Sequence, residues 1–148
     1  YVYGITASGD ATDEYGPPKA QFTLGLGDGV PDDVAVDDLS NSVAAAYAGT
    51  ALAWRGWADE APTGSDAIFI IEILRPGGSW TNIFPSGGGM TIPAGSTDIA
   101  EGVSFDGSVQ ISVGDRLRAR CTQAGSTTAG QGYSFYLYWG DPNLPVAG

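Results

Sequence analysis

The chain contains no histidine and one cysteine, Cys121, and each scarcity closes a class of chemistry. Without histidine there is no Ser-His or Cys-His dyad, and the commonest general base and a frequent zinc ligand are missing. A single cysteine allows neither an intrachain disulfide nor a thiolate metal cluster. Basic residues are few: Lys and Arg total 6 against 17 Asp and Glu, a formal charge of −11. Nucleic acid is a poor partner for such a chain, because phosphate binding needs a basic stripe. An anionic membrane surface is disfavoured for the same reason. The longest apolar run, Ala67–Leu74, is broken by Glu72 and is far too short to span a bilayer. No charged segment leading into an apolar stretch marks a signal peptide. Because residue 1 is Tyr, the true N-terminus is expected upstream. Helical period is absent as well.

What remains is the material of a β domain. The 148 residues suit one domain able to bury roughly 70% of its unfolded surface. Gly 23 and Pro 9 make up about a fifth of the chain and fall between short apolar runs, so they mark turns. Strands are expected over residues 1–6 and 21–26, separated by a polar loop, and a second loop covers residues 27–33. Residues 34–37 form a short run, and residues 44–53 are read as mostly extended, because Gly49 cuts the alanine run too early for a helix. Ala67–Leu74, rich in β-branched and aromatic residues, is the strongest strand. Its apolar groups lie on both faces, which predicts a central strand covered on both sides. Further strands are expected over residues 80–84 and 90–92.

The last third alternates with period two. Val109, Ile111 and Val113 share one face; Leu117, Ala119 and Cys121 share another, opposite Arg116, Arg118 and Arg120. Tyr133, Phe135, Leu137 and Trp139 then alternate with Ser134, Tyr136 and Tyr138. Such alternation is the mark of antiparallel strands with one buried face. The expected fold is therefore all-β: an antiparallel β-sandwich, jelly-roll-like, over residues 1–140, with a tail at 141–148.

The acidic pairs Asp32-Asp33, Asp37-Asp38 and Asp59-Glu60 stand beside turn residues, where Asp is favoured for local hydrogen bonds. None lies in a nucleophile or acid motif, so no catalytic residue is named and the chain is expected not to be an enzyme. Asp28, Asp32, Asp33 and Asp37, with Asp38, are candidate oxygen ligands for Ca²⁺. Their spacing fits no EF-hand, and a solvated acidic loop is the preferred reading, with no cofactor expected. Trp54, Trp57 and Trp80, with Tyr133, Tyr136 and Tyr138, are either a platform for sugar rings or the filling of a core and subunit interface. The second is preferred, with Tyr136 and Tyr138 as the exposed members. Arg116, Arg118 and Arg120 are expected to pair with carboxylates on an adjacent strand or subunit. Cys121 reads as a small buried hydrophobe.

Between residues 61 and 140 the order of short motifs is more specific than composition. Ala61-Pro62-Thr63-Gly64-Ser65 precedes the strand Ala67–Leu74, a Gly-Gly turn and Asn82-Ile83-Phe84. Met90-Thr91-Ile92-Pro93-Ala94-Gly95, Gly114-Asp115 and Gln123-Ala124-Gly125-Ser126-Thr127 follow, then Gly130-Gln131-Gly132 and a closing strand. This resembles a β-sandwich module of bacteriophage virion proteins of the capsid-decoration, head-fibre and tail-fibre type. Two departures stand out: Ser79-Trp80-Thr81 lengthens the usual hairpin, and Tyr133 replaces an aliphatic residue. The resemblance implies a non-enzymatic structural protein on the virion surface, homotrimeric, with the capsid shell or other virion proteins as partners. The alternative is a lectin-like module of a tail fibre that binds a host surface glycan.

Overall fold

The computed structural model describes residues 18–84, 89–97, 105 and 108–140. The expected strand at residues 1–6 and the tail at 141–148 lie outside them. The described residues form strands β1 (Ala20–Leu24), β2 (Leu26–Gly27), β3 (Val30–Pro31), β4 (Val43–Ala44), β5 (Gly49–Trp57) and β6 (Ala67–Leu74). They continue through β7 (Thr81–Asn82), β8 (Met90–Ile92), β9 (Gln110–Ile111), β10 (Arg116–Gln123) and β11 (Tyr133–Gly140).

Two antiparallel sheets pack face to face. The first has the order β1-β11-β5-β9, the second β4-β10-β6-β7, with β8 also on β6. The pairing nests: the first long strand pairs the last, β4 pairs β10, β5 pairs β9, and β6 pairs β7 and β8. A ribbon of such nested pairs rolled into two sheets is a jelly roll. β2 and β3 stand apart as a two-stranded hairpin. Its Asp28-Gly29 turn has φ of 53° and 81°, the doubly positive geometry that Asp-Gly favours in a tight hairpin.

The core is made by the alternating faces read from sequence. Leu117, Ala119 and Cys121 of β10 and Tyr133, Phe135, Leu137 and Trp139 of β11 are all buried. The Phe69 ring lies 4.6 Å from Tyr133 and 4.8 Å from Phe135. Each such aromatic pair adds about 0.5–1.5 kcal/mol beyond area burial. Tyr133, the departure from an aliphatic residue, keeps its hydroxyl satisfied by donating to the Ala129 carbonyl at 3.0 Å.

Several strand expectations need correction. Residues 34–37 are not a strand; Val34 is buried while Val36 is exposed. The run at 80–84 narrows to β7, because the Asn82 side chain accepts from the Phe84 amide and bends the chain. Val113 is exposed at 66% rather than facing the core with Ile111. β9 stops at Ile111, where the buried Asp115 carboxylate accepts from the Ser112 amide at 2.8 Å and closes a turn.

Candidate interaction surfaces

The arginine row occupies the outer face of the second sheet. Register places Arg118 opposite Glu72 of β6, and period two puts Arg120 on the same side. Arg118 Nε donates to Glu72 Oε1 at 3.0 Å, and Arg120 Nε to Glu72 Oε2 at 3.3 Å. Arg120 Nη1 also reaches Asp37 Oδ1 at 2.9 Å. The Arg118 guanidinium lies 4.0 Å from the Trp80 ring centre, so the residue that lengthens the β6–β7 hairpin forms a lid over the ion pairs. Glu72 is 7% exposed, and two forked partners are what make a charge tolerable at that depth. Desolvation opposes the Arg120 charge, but the charges and hydrogen bonds of Glu72 and Asp37 outweigh it and raise its pKa. The outer cover of β6 is thus partly supplied by this chain's own side chains. Arg116 takes no part in the network; it sits at the start of β10, exposed, beside Arg75 and Gly114.

Next to the network runs an open groove of about 470 Å³, lined by Ile68, Ile70, Asn82, Thr91, Arg120 and Thr122. It is the apolar part of this sheet's outer face.

The outer face of the first sheet carries the aromatic candidates, and the structure divides them. Trp57 and Tyr136 are half-buried neighbours with ring centres 5.2 Å apart and planes at 65°, and Arg55 pairs Tyr136 in register. Trp54 is buried in the core, its ring edge-on to Phe135 at 6.2 Å and its indole N–H without a hydrogen-bond partner. Trp54 and Trp57 are three apart on one strand, so they face opposite sides. Tyr138, expected to be exposed, is buried at 1% together with its partner Ala53, although neither belongs to the core cluster. The register shift between Tyr138 and Trp139 sets Leu52 outside the ladder, where its carbonyl accepts from the Phe105 amide at 2.9 Å. A bulge of this kind re-aims the side chains beyond it. Of the aromatic candidates on the outer face of the first sheet, Trp57 and Tyr136 therefore remain accessible, set at an angle rather than as a flat platform.

The calcium candidates are not brought together. Asp28 forms the hairpin turn, Asp32 accepts from the Asp33 amide, Asp33 accepts from Gln131 at 2.8 Å, and Asp37 pairs Arg120. Asp38 accepts from the Ala35 amide. Among the described residues no three acidic or cysteine side chains gather. Asp32 and Asp38 are held by their own turns, as short polar side chains are in loops, while Asp33 and Asp37 are held by partners distant in sequence. Cys121 is fully buried, and that burial pushes its thiol up to about 11, away from nucleophilic character.

Sequence reading did not show how the ordered motifs meet. Thr63 exchanges hydrogen bonds with the far loop: its amide donates to the Thr128 carbonyl at 3.0 Å, and its own carbonyl accepts from Thr127 at 2.9 Å. Gly64, at φ 84°, lies so close to Ser126 and Thr127 that any Cβ there would collide with them. The Ala61–Ser65 segment and the segment from Gln123 to Gly132 therefore form one clasp at one end of the sandwich. Compared with family models, curated proteins and solved structures, the chain finds no match.

Proposed function

We propose that this chain is a non-enzymatic structural protein of a bacteriophage virion surface, a capsid-decoration or fibre component that assembles as a homotrimer. The observation that carries the reading is the clasp between Thr63 and Thr127-Thr128. Motif segments far apart in sequence are neighbours in space, as expected if their order marks one inherited building block. The reactive groups support a mechanical role: Glu72 anchors two arginines, Asp115 closes a turn, and Cys121 fills core. Lateral contact between copies has a suitable surface in the apolar groove along Ile68 and Ile70, since fibre and decoration proteins work by burying such faces.

Sedimentation equilibrium at micromolar concentration tests it. The expected mass is three times the 15.2 kDa chain, and Ile68→Asp, in the half-buried wall of the groove, dissociates the trimer. A monomer at that concentration overturns the trimeric reading. Binding to a glycan array that Trp57→Ala abolishes without unfolding replaces the structural reading with the carbohydrate-binding one.

A further inference from the structure

The two ends of the sandwich differ in charge, and both expose apolar side chains. One end is fixed by the register Leu24↔Tyr133 and Ser134↔Trp57, the β2–β3 hairpin and the clasp. It carries Asp28, Asp32, Asp33, Asp59, Glu60 and Asp66, and among the described residues no Lys or Arg. Leu26 and Val30 are exposed there at 45% and 61%. The other end is fixed by Ala20↔Leu137, Gly140↔Thr50 and Arg116↔Leu74. It carries Lys19, Arg75 and Arg116, and its described acid, Asp115, is buried against Arg75. Tyr47 and Val113 are exposed there at 64% and 66%, and Arg75 and Arg116 line a cleft of about 180 Å³ with Gly77, Gly78 and Gly114.

We infer that the basic end is a docking surface for the acidic end of a second copy, giving a head-to-tail contact. Each end offers what the other lacks. Carboxylates at the rim of the projecting hairpin meet the guanidinium groups of Arg75 and Arg116, while Leu26 and Val30 meet Tyr47 and Val113. Charge complementarity supplies the attraction that brings the ends together and sets register, and apolar contact adds to it. Such an interface uses two different patches, so it generates a ring where its rotation closes and an open column where it does not. The contact stands whether the stacking unit is one chain or the trimer proposed above. The two readings fail separately: the trimer is read at limiting dilution, the stacking as growth above that mass.

Sedimentation velocity over a concentration series is the test, with two charge-altered variants of the full chain. Arg75→Glu/Arg116→Glu makes both ends acidic, and Asp32→Lys/Glu60→Lys removes most of the negative excess of the acidic end, while each variant keeps one native end. The wild-type chain is expected to grow in mass with concentration at about 0.15 M salt and to lose that growth at about 1 M, where the Debye length is about 3 Å. Each variant alone is expected to associate at least tenfold more weakly, and an equimolar mixture to regain assembly, because each then finds a complementary end. Circular dichroism and melting temperature confirm that both variants fold; should the arginine pair not fold, Arg116→Glu alone replaces it. Mass that stays constant into the millimolar range overturns the proposal. So does a mixture that assembles no better than either variant, which assigns the growth to another face. Constant mass together with a lowered melting temperature in Arg116→Glu assigns the basic end to this chain's own acidic residues instead.

Discussion

Cys121 lies toward the end of the longest ladder in the second sheet, beside its register shift and opposite Phe69, with no solvent access. Its thiol has a pKa near 11 in the folded chain against an ordinary value of 9.0, first because burial disfavours the thiolate. The folded state holds this proton more tightly than the unfolded state. The resulting stability is therefore fully present below about pH 9 and lost as pH rises toward about 11. A pKa difference of that size corresponds to about 3 kcal/mol at the upper end of the window. Tyr133 is displaced in the same direction by burial and adds to the alkaline loss at higher pH. Urea denaturation at about pH 8 and about pH 10.5 checks the sign. The wild-type chain is expected to lose most of that stability across the window. Cys121→Ala, less stable at neutral pH by about 1 kcal/mol for the lost packing, is expected to lose markedly less. Equal losses in both proteins would remove Cys121 as the cause.

A sheet built from nested pairs has edges, and this chain covers them with side chains and irregular segments. β1 is an edge strand, and its outward Thr23 amide and Gln21 carbonyl both bond to Asn41, at 3.0 Å each. One side-chain amide thus does the work of a neighbouring strand and blocks pairing with another chain. At the opposite edge Arg75 Nη2 donates to the Gln110 carbonyl at 2.5 Å. Asn41→Ala is expected to cost about 1 kcal/mol and to speed hydrogen exchange at Thr23 about tenfold. The neighbouring Phe22 amide should change only with global stability. Uniform acceleration along β1 would mean that Asn41 supports the fold and not the edge. None of this is readable from sequence, because an isolated Asn in a loop carries no period. What period two does encode was legible: the buried faces of β6, β10 and β11, and the separation of Arg118 and Arg120 from Cys121. The spacing of Trp54 and Trp57 also held the information that only one of them faces outward. Asp28-Gly29 between Leu26 and Val30 is likewise a hairpin signal, although it reads first as a loop. Tyr138 and Val113 were misplaced for a different reason. The bulge at Leu52 is set by long-range packing, which alternation along one strand does not contain, and the local Ser112–Asp115 turn begins before the alternation of residues runs out.

At the scale of the whole molecule the largest electrostatic quantity is the net charge of −11. At about 0.01 M salt the Debye length is about 30 Å, comparable to the molecule, so every carboxylate feels the excess of the others. Concentration of acids at one end makes that repulsion larger than an even spread would. At about 0.15 M the length falls to about 8 Å, and only close pairs still interact. The strongest close pairs are favourable and keep a carboxylate shielded: Glu72 is nearly buried between Arg118 and Arg120, and Asp115 is buried against Arg75. Screening therefore removes mostly repulsion and leaves mostly attraction. Raising NaCl from about 0.01 to about 0.15 M is expected to stabilise the fold by about 1 kcal/mol, or about 2–4 °C in melting temperature for a chain of this size. The measurement belongs at one fixed protein concentration, because association between copies adds stability by mass action. Potassium chloride at equal ionic strength should give the same shift, because screening depends on charge and not on ion identity. A melting temperature that falls with salt would show that exposed ion pairs outweigh self-repulsion.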